Sequence, residues 1–596
     1  CVEYCPAGAV KLGQKLCTKS GPVEYPRQEL PDAAKWGPEK WAIDYRDKNR
    51  VNCYDTGTAP CKTACPAHIA VQGYLKLAAQ GKYREALQLI KRENPFPAVC
   101  GRICNRRCED ACTRGTVDQA VAIDEVKRFI AQQDLDAATR FVPEKVIPKV
   151  DGAFDQQIAI IGGGPAGLSC AYYLAEKGYR PTVFEKERRL GGMLENGLPS
   201  FRLEKDVVQA EIDVLREMGV QFRCGVEVGK DVTIAQLREQ GYQGFYVAVG
   251  LQSGGRLNIP GDDAQGVTAG IDFMRRVNGG QETKLEGRVV VIGGGNIAAD
   301  VARTAVRCGA ESVDLYCLES YDDMPMGPED RGECERDGIT IHAGWGQTEI
   351  VTENGHAAGI RFRKCLRVKN DQGRFAPEFD DNDTCQAQCA AVLYCIGQKV
   401  DWRQLLTGTA VTFNPNGTAQ VDPVTYQTAE PGIFAGGDAV TGQKFAIDAI
   451  AAGKEGAISL HRFVQKATLT IGRNRRQFVE LDKENALIPV GFDNTPRQQI
   501  GYNEALRRTF RDERIAFTAE QVQKETARCL SCGASVVDPN KCIGCGVCTT
   551  KCAFDAIHLH RERPECTHMI PAEDKMKAIL PYMVKREIKI RKAGKK

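Results

Sequence analysis

Cysteines dominate the residues of this sequence that could do chemistry. The chain of 596 residues contains 26 Cys, and most of them stand in short, regularly spaced runs. A chain of this length needs no disulfide framework to fold, and bunched Cys at fixed spacing are typical of metal or cluster ligation. The runs therefore predict thiolate-bound metal centres in a reducing compartment, which we expect to be the cytoplasm.

The run nearest the carboxyl end has the spacing C-x2-C-x2-C-x3-C, formed by Cys542, Cys545, Cys548 and Cys552. This spacing is typical of bacterial ferredoxins, in which the loop directs three thiolates at one 4Fe–4S cluster. Cys529 and Cys532 stand just upstream, and we expect them in the same ferredoxin-like module. A zinc site is the alternative.

The first residues repeat part of that pattern. Cys1 and Cys5, with Pro6, form C-x3-C-P, the second half of a ferredoxin run. Its first two cysteines would lie before residue 1, so we expect the sequence to be a piece of a longer polypeptide. Two free thiols are the alternative.

A third group of thiols surrounds an expected helical hairpin. Apolar residues recur at spacings of three and four over 71–93, which predicts a pair of amphipathic helices, and 121–133 reads as another helix. Folding the hairpin would bring the thiols on both sides together to hold one or two clusters. The group comprises Cys53, Cys61, Cys65, Cys100, Cys104, Cys108 and Cys112.

Residues 157–186 read as a strand, a glycine turn, a helix and a second strand. The turn fits G-x-G-x-x-G, in which glycines let the backbone approach a pyrophosphate at the helix N-terminus. Glu185 lies about 20 residues further on, where an acid accepts the ribose hydroxyl. The motif predicts a dinucleotide site that comprises Gly162, Gly164, Pro165, Ala166 and Gly167.

Later features favour FAD at this first site. Residues 191–203 supply Gly192, Met193 and Arg202, and a strand within 432–440 ends at Gly437 and Asp438. In flavoproteins that bind two dinucleotides, such an Asp bonds the ribityl chain. The helix that begins near Ala446 would direct its N-terminal dipole at the flavin ring.

The dinucleotide motif occurs again over 288–320, as the G-x-G-x-x-A variant. Its position inside the FAD-binding sequence predicts an inserted NAD(P)H-binding domain. Glu319, at the end of the second strand, favours NAD, but the choice between NAD and NADP stays open, and Arg303 and Arg307 are expected on the helix surface. The predicted site residues are Gly293, Gly295, Asn296, Ala298 and Glu319.

No side chain is predicted to act as a catalytic acid or base, because the cofactors carry hydride chemistry. The stretch from Glu185 to Phe222 contains no Cys, so we expect the flavin's electrons to go to clusters and not to a dithiol.

Alternating short strands, glycine turns and helices predict an α/β fold with two nested Rossmann-like domains. A helical iron–sulfur domain and ferredoxin-like α+β modules would flank them. The expected boundaries are 1–17 (part of a ferredoxin-like module), 18–52 (linker), 53–150 (helical iron–sulfur domain), 151–285 and 406–469 (FAD-binding domain), 286–405 (NAD(P)H-binding domain), 470–525 (linker), 526–566 (ferredoxin-like module) and 567–596 (basic tail).

Net charge is close to neutral at +3, which argues against a nucleic-acid partner, and no apolar run is long enough to predict a membrane span.

The order of these motifs resembles the glutamate synthase small subunit family over residues 53–465. The N-terminal half of dihydropyrimidine dehydrogenase and the large subunit of NADH-dependent ferredoxin:NADP oxidoreductase are similar. The resemblance implies two 4Fe–4S clusters in the helical domain, with Cys53, Cys61 and Cys112 on one and Cys65, Cys104 and Cys108 on the other.

Two positions depart from the family pattern. Thr56 stands where the family often has a Cys, so the first cluster lacks a thiolate or recruits Cys100. Relatives use Gln or Glu as the odd ligand of the second cluster, where this sequence has Lys127, with Glu125 nearby.

The resemblance implies an oxidoreductase subunit that moves electrons between NAD(P)H, FAD and two to five 4Fe–4S clusters, and on to ferredoxin or partner redox subunits of a hetero-oligomer. A flavin-based electron-bifurcating complex is one such setting. A glutamate synthase small subunit proper and a non-catalytic electron-wire subunit are the alternatives.

Overall fold

The computed structural model describes residues 59–145, 154–470 (except 257, 282 and 283), 473, 492–532, 543–551, 557, 559 and 572–593, together with the short strands at 10–12, 17–18, 21–22, 486–487 and 535–537. Cys1, Cys5, Cys53, Thr56, Cys542 and Cys552 lie outside the residues whose side chains are described.

The helices within the described residues are mostly short. In chain order they are α1 (Pro60–Thr63), α2 (Val71–Ala79), α3 (Tyr83–Lys91), α4 (Pro97–Ile103), α5 (Arg107–Asp110), α6 (Ile123–Ala131), α7 (Pro165–Glu176), α8 (Met193–Asn196), α9 (Lys205–Glu217), α10 (Ile234–Glu239), α11 (Gly270–Asn278), α12 (Asn296–Arg307), α13 (Pro328–Arg336), α14 (Asp438–Thr441), α15 (Ala446–Val464), α16 (Ala519–Ala527), α17 (Val547–Lys551) and α18 (Lys575–Ala593). Turns of 3₁₀ helix occur at Thr113–Thr116, Gln132–Leu135, Glu504–Leu506 and Ala572–Asp574.

The strands are β1 (Val10–Leu12), β2 (Cys17–Thr18), β3 (Gly21–Pro22), β4 (Gln157–Ile161), β5 (Thr182–Glu185), β6 (Gln221–Cys224), β7 (Tyr242–Val247), β8 (Ser253–Gly254), β9 (Val267–Ala269), β10 (Arg288–Ile292), β11 (Ser312–Cys317), β12 (Thr340–Ala343), β13 (Trp345–Glu353), β14 (His356–Lys369), β15 (Phe375–Gln388), β16 (Ala391–Tyr394), β17 (Gln398–Lys399), β18 (Ile433–Ala435), β19 (Ala486–Leu487), β20 (Gly501–Tyr502), β21 (Arg514–Ile515) and β22 (Ser535–Val537).

The chain divides into two compact units. The smaller unit combines both ends of the sequence, Cys1–Gln14, Gln28–Cys53 and Ser535–Lys596, and within it β1 pairs antiparallel with β22. The larger unit comprises Lys15–Arg27 and Tyr54–Ala534.

The helical region of the larger unit contains the predicted hairpin. Helices α2 and α3 fall within the expected 71–93 range, and each buries one face, with Tyr74 and Leu75 on α2 and Leu87 and Ile90 on α3. The predicted pair is therefore confirmed, because an apolar stripe at helical spacing must be covered. Helix α6 follows within the expected 121–133 range.

The first parallel sheet has the order β18–β7–β4–β5–β6. Strand β4 leads through a glycine turn into α7, and β5 follows beside it in parallel register, from Ala159 opposite Thr182 to Ile161 opposite Phe184. Strand β18 comes from far along the chain, yet it pairs with β7. The sheet is thus completed after the second domain has been inserted.

The second parallel sheet has the order β12–β11–β10–β16–β9. Helix α12 follows β10 as α7 follows β4, so the strand–turn–helix–strand unit is repeated. A separate antiparallel sheet of β13, β14 and β15 is inserted before β16. The α/β fold class with two Rossmann-like domains is confirmed.

The segment 492–532 differs from the expected linker. Helix α16 packs against α2 and α6, and Glu525 and Arg528 are fully buried. Their ion pair, with Arg528 Nη1 2.7 Å from Glu525 Oε1, explains how so polar a stretch can be buried. Residues up to Cys532 therefore belong to the helical region, beyond the boundary expected at 526.

One hydrophobic core runs through the helical region and the first dinucleotide domain. It includes Val99 and Ile130 from the helical region and Leu168, Leu174 and Ile212 from the dinucleotide domain. Close-packed interiors have low compressibility. This shared core therefore holds the helical region, with its thiols, at a fixed position beside the first sheet. No helix among the described residues has the length and apolarity needed to cross a membrane.

Candidate active site

A cavity of about 530 Å³ opens at the carboxyl ends of the first sheet's strands. Open α/β sheets bind ligands at this edge. Residues from both glycine motifs line it, and so does Ile103, the neighbour of Cys104. The predicted residues that line it are Gly162, Gly164, Pro165, Ala166, Glu185, Gly192, Met193, Arg202, Asn296, Gly437, Asp438 and Ala446.

The first glycine turn has the shape that a dinucleotide requires. Gly162 has φ +109°, and a Cβ there would strike the carbonyl oxygen of Ala248. Gly167 does not line the cavity, and a Cβ on it would strike the carbonyl oxygen of Gly162, so its role is close helix–strand packing. Glu185 accepts the Gly163 N–H at 2.7 Å, which holds its carboxylate beside the turn. Burial raises the pKa of Glu185.

Asp438, directly after Gly437, also lines the cavity. Burial raises its pKa to about 6, while the N–H of Lys444, 3.3 Å from Asp438 Oδ1, acts in the other direction. Helix α15 begins nearby, and its first residue, Ala446, lines the same cavity. The cavity thus combines backbone turns, the two acids Glu185 and Asp438 and a helix N-terminus, which fits FAD.

The second glycine turn repeats this geometry. Gly293 has φ +139°, and a Cβ added at Gly295 would meet no atom of the described chain within 4 Å, so the turn leaves open space. Asn296 is the first residue of α12 and lines the cavity. Its Oδ1 atom is buried and has no hydrogen-bond partner among the described residues. A vacant acceptor next to an open turn fits a second dinucleotide.

The remaining predicted residues of the second motif, Gly293, Gly295, Ala298 and Glu319, do not line the large cavity. Ala298 is buried in the second domain's core. A Cβ at Gly294 would lie 2.7 Å from Glu319 Oε2, so this carboxylate stands beside its turn as Glu185 does in the first copy.

Arg202 joins the two domains at the cavity. Its Nε lies 2.5 Å from Asp300 Oδ1, and its Nη2 lies 2.6 Å from Asp330 Oδ1. Asp300 also lines the cavity, and burial raises its pKa to about 6. Sequence reasoning missed Asp300, although it stands one helical turn after Asn296 and therefore on the same face.

Arg303 and Arg307 were expected on the helix surface, and that expectation was wrong. Both pair with Asp337, from Arg303 Nε at 2.8 Å and from Arg307 Nη1 at 2.7 Å. Their side chains are at most 4% exposed. The paired carboxylate offsets the cost of burying two guanidinium groups.

The thiols of the helical region form two groups. Cys61, Cys112, Cys529 and Cys532 line a small cavity of about 20 Å³. Cys529 and Cys532 therefore lie with Cys61 and Cys112 of the helical region, whereas the sequence assigned them to the ferredoxin-like module. Four thiols around one space are the donor set of a 4Fe–4S cluster.

The second group surrounds Lys127. Burial raises the pKa of each of its thiols, and the ammonium group of Lys127 opposes that rise. Lys127 is itself buried and pairs with Asp124, so an ammonium group lies near these thiols, at the position where the resemblance implied a Gln or Glu ligand. The group comprises Cys65, Cys100, Cys104 and Cys108, so Cys100 lies here and not with the first group.

Of the C-terminal run, Cys545 is exposed, and Cys548 is buried on α17. In the parts of the chain that the structure describes, no three His, Cys, Asp or Glu side chains converge on a point that would hold a single metal ion. The thiols of a four-iron cluster sit at separate corners and need not converge. The ligand assignments stay predictions.

Known sequence families cover most of the chain. Residues 156–453 match the family described as Pyridine nucleotide-disulphide oxidoreductase. Residues 45–139 match dihydropyrimidine dehydrogenase domain II, 4Fe-4S cluster, and residues 535–558 match the 4Fe-4S binding domain.

Curated proteins align over much of their length. The NADP(+)-dependent formate dehydrogenase subunit beta of Moorella thermoacetica is 34% identical over 504 residues, which are 80% of this chain and 70% of that protein. The NADPH-Fe(3+) oxidoreductase subunit beta of Geobacter sulfurreducens is 30% identical over 516 residues, which are 80% of this chain and 75% of that protein. The glutamate synthase [NADPH] small chain of Escherichia coli is 31% identical and covers 69% of this chain and 90% of its own length.

The nested dinucleotide domains, the thiol groups and these alignments agree. The chain belongs to the glutamate synthase small chain-like family of NAD(P)H-dependent oxidoreductases that carry FAD and 4Fe–4S clusters.

Proposed function

We propose that this chain is the NADH-oxidising subunit of a larger redox assembly and delivers electrons through its thiolate-bound clusters to a partner subunit or to ferredoxin. The observation that carries the proposal is the shared cavity. Residues of the first motif, the first residues of α12 from the second motif, and Ile103, which precedes Cys104, line one space. A nicotinamide, a flavin and a cluster would therefore meet at one place.

The chain's own residues bind and orient the cofactors. The turns at Gly164 and Gly295 leave room for pyrophosphates, Glu185 stands beside the first turn at the expected ribose position, and α15 directs its N-terminus at the cavity. Bound FAD supplies the exchange between hydride transfer from nicotinamide and single-electron transfer to iron. No described side chain is needed as acid or base for that exchange.

Glu319 supports NADH as the electron donor. Its carboxylate lies beside Gly294, where an acid accepts the ribose hydroxyls and repels a 2′-phosphate. Asp322 and Asp323 follow, and the stretch from Cys317 to Gly327 contains no Lys or Arg that could neutralise such a phosphate.

NADPH is the second candidate. The relatives from Moorella thermoacetica, Geobacter sulfurreducens and Escherichia coli are all named for NADP(+) or NADPH. The same names describe beta subunits and a small chain, which supports a hetero-oligomer for this protein too.

Anaerobic titration of the purified chain with each nucleotide tests the coenzyme. We expect NADH to bleach the flavin absorbance at a concentration about tenfold or more below that of NADPH, which corresponds to about 1.4 kcal/mol. Glu319→Arg should narrow or reverse that preference, and Glu311→Arg, which adds the same charge before β11, should not. Equal use of NADPH by the unaltered chain would contradict the NADH assignment and favour the second candidate.

A further inference from the structure

The small cavity lined by four thiols draws its side chains from three separate stretches of the chain. Cys61 comes from α1, Cys112 from the loop before Thr113–Thr116, and Cys529 and Cys532 from the segment that follows α16. The family matches at 45–139 and 535–558 include the first two thiols and exclude the last two.

Hydrogen bonds fix the late segment against the early one. Arg114, two residues after Cys112, donates from Nη1 to the carbonyl of Arg528 at 2.9 Å, immediately before Cys529. Gln72 on α2 donates to the carbonyl of Cys532. The first hydrogen bond therefore fixes the backbone next to Cys529, and the second fixes the backbone of Cys532 itself.

Side chains of the late segment also make hydrogen bonds to the backbone of the early segment. Arg528 Nη2 donates to the carbonyl of Gln119 at 2.6 Å, and Glu525 Oε1 accepts the N–H of Ala122 at 2.8 Å. Arg114, Glu525 and Arg528 are all buried. Burying a charged group is costly unless it is paired and hydrogen-bonded. These paired charges therefore show that the packing of the late segment against the early one is part of the fold.

The thiols themselves are crowded. Cys61 and Cys532 are buried, Cys112 and Cys529 are partly buried, and all four line the same cavity of about 20 Å³. Four thiols around one small space are suited to an iron–sulfur cluster, because thiols that coordinate metal lose their protons and bind as thiolates.

We propose that Cys61, Cys112, Cys529 and Cys532 together ligate one 4Fe–4S cluster, so that Cys529 and Cys532 (the CLSC pair) complete the helical iron–sulfur domain. This set already contains the four thiolates of a complete site. It accounts for Thr56, since a chain that supplies two thiolates from 529–532 needs no Cys at that position. The cluster then ties the far end of the flavoprotein unit to its beginning.

The four-thiol set differs from the set that the family resemblance implies. That set would use Cys53 with Cys61 and Cys112, and would leave Cys529 and Cys532 free. Cys100 is not a substitute, because its neighbours are Cys104 and Lys127. The two sets therefore predict opposite results for Cys53 and for the CLSC pair.

Single Ser variants of the full chain, reconstituted anaerobically with iron and sulfide, test the proposal. Iron, acid-labile sulfide and low-temperature EPR of the dithionite-reduced protein are the measurements. We expect Cys529→Ser and Cys532→Ser each to lose about four irons per chain, or to shift one cluster's EPR signal. Cys53→Ser should match the unaltered chain, and so should Cys334→Ser, which removes a buried thiol from the second domain.

Unchanged iron content and EPR signals in both CLSC variants would overturn the proposal, and so would loss of the same cluster in Cys53→Ser. Flavin content shows that each variant has folded, and bleaching by NADH tests the proposed function separately. If no CLSC variant folds, hydrogen exchange of the unaltered chain before and after cluster removal decides. Faster exchange in peptides spanning both 60–65 and 526–532 supports the shared cluster, and a change confined to 60–65 overturns it.

Discussion

Arg107 and Asp448 form a two-pronged ion pair between the iron–sulfur region and the flavin cavity. Arg107 Nη1 lies 3.0 Å from Asp448 Oδ1, and Nη2 lies 3.2 Å from Oδ2. Arg107 immediately precedes Cys108, and Asp448 is in the first turn of α15, whose first residue lines the cavity. The pair therefore fixes the distance between a thiol of the Lys127 group and the flavin-facing helix.

Loss of this pair should slow electron transfer more than it affects folding. Arg107 is 38% exposed, so Arg107→Ala should change the free energy of unfolding by less than about 1 kcal/mol. We expect NADH to bleach the flavin at the normal rate, and the clusters to be reduced several-fold more slowly in stopped-flow absorbance. Arg238→Ala, which breaks an exposed pair with Glu430 at 2.8 Å, is the matched control. Normal cluster reduction in Arg107→Ala would show that the pair does not set this distance.

Substituting Ala for Gly should affect dinucleotide binding at one position of the glycine motifs and protein stability at another. Gly295 has φ −99° and open space where a Cβ would stand, so Gly295→Ala should leave the melting temperature unchanged. The added methyl should instead obstruct the dinucleotide and raise the KM for NADH about tenfold or more, about 1.4 kcal/mol.

Gly167→Ala should behave in the opposite way. Its methyl would strike the carbonyl of Gly162, so the variant should lose about 1–3 kcal/mol of stability through overpacking. Thermal unfolding and NADH kinetics of both variants check the contrast. A destabilised Gly295→Ala would mean that its turn is not the open site described here.

Glu211 caps the helix that carries Cys100. Its carboxylate accepts the N–H groups of Ala98 at 2.7 Å and Val99 at 2.9 Å, and all three residues are buried. Glu211→Ala should therefore cost about 1–3 kcal/mol for each N–H left without a partner. Glu217→Ala, at the exposed end of α9, the helix that carries Glu211, should change the stability by no more than about 0.5 kcal/mol, and denaturant unfolding distinguishes the two variants. Equal stabilities would contradict the capping role.

Asp438 should make the flavin-free chain less stable as pH rises. Burial raises its pKa from 3.8 to about 6, so the folded chain holds a proton that the unfolded chain releases. The contribution of this carboxyl to the free energy of unfolding is fully present below about pH 3.8 and is lost as the pH rises through about 6. Asp438→Asn should therefore be more stable than the unaltered chain at pH 7, by on the order of 1–3 kcal/mol, and no more stable at pH 4. Melting temperatures at both pH values measure this, and a difference independent of pH would refute it.

Local patterns made much of the fold predictable. The glycine turns at Gly162 and Gly293 are followed by the expected helices, because turn, helix and strand are encoded within a few residues. The α2–α3 pair follows from its apolar spacing in the same way.

Contacts between distant segments were not predictable. The stretch 492–532 is polar and reads as a linker, yet Arg528 and Glu525 bury each other's charge. Periodicity describes apolar faces and does not detect paired charges. The spacing of Cys529 and Cys532 predicts that they are ligands, but nothing in a single sequence indicates that they line one cavity with Cys61 and Cys112.

The central claim is that NADH reduces both the flavin and the clusters of this chain. Anaerobic mixing of the purified chain with NADH, followed by freeze-quench EPR and flavin absorbance, tests it most directly. The account predicts that the flavin bleaches first and that signals of reduced 4Fe–4S clusters then appear. Bleached flavin with no cluster signal at any time, or flavin that NADH does not reduce, would contradict it.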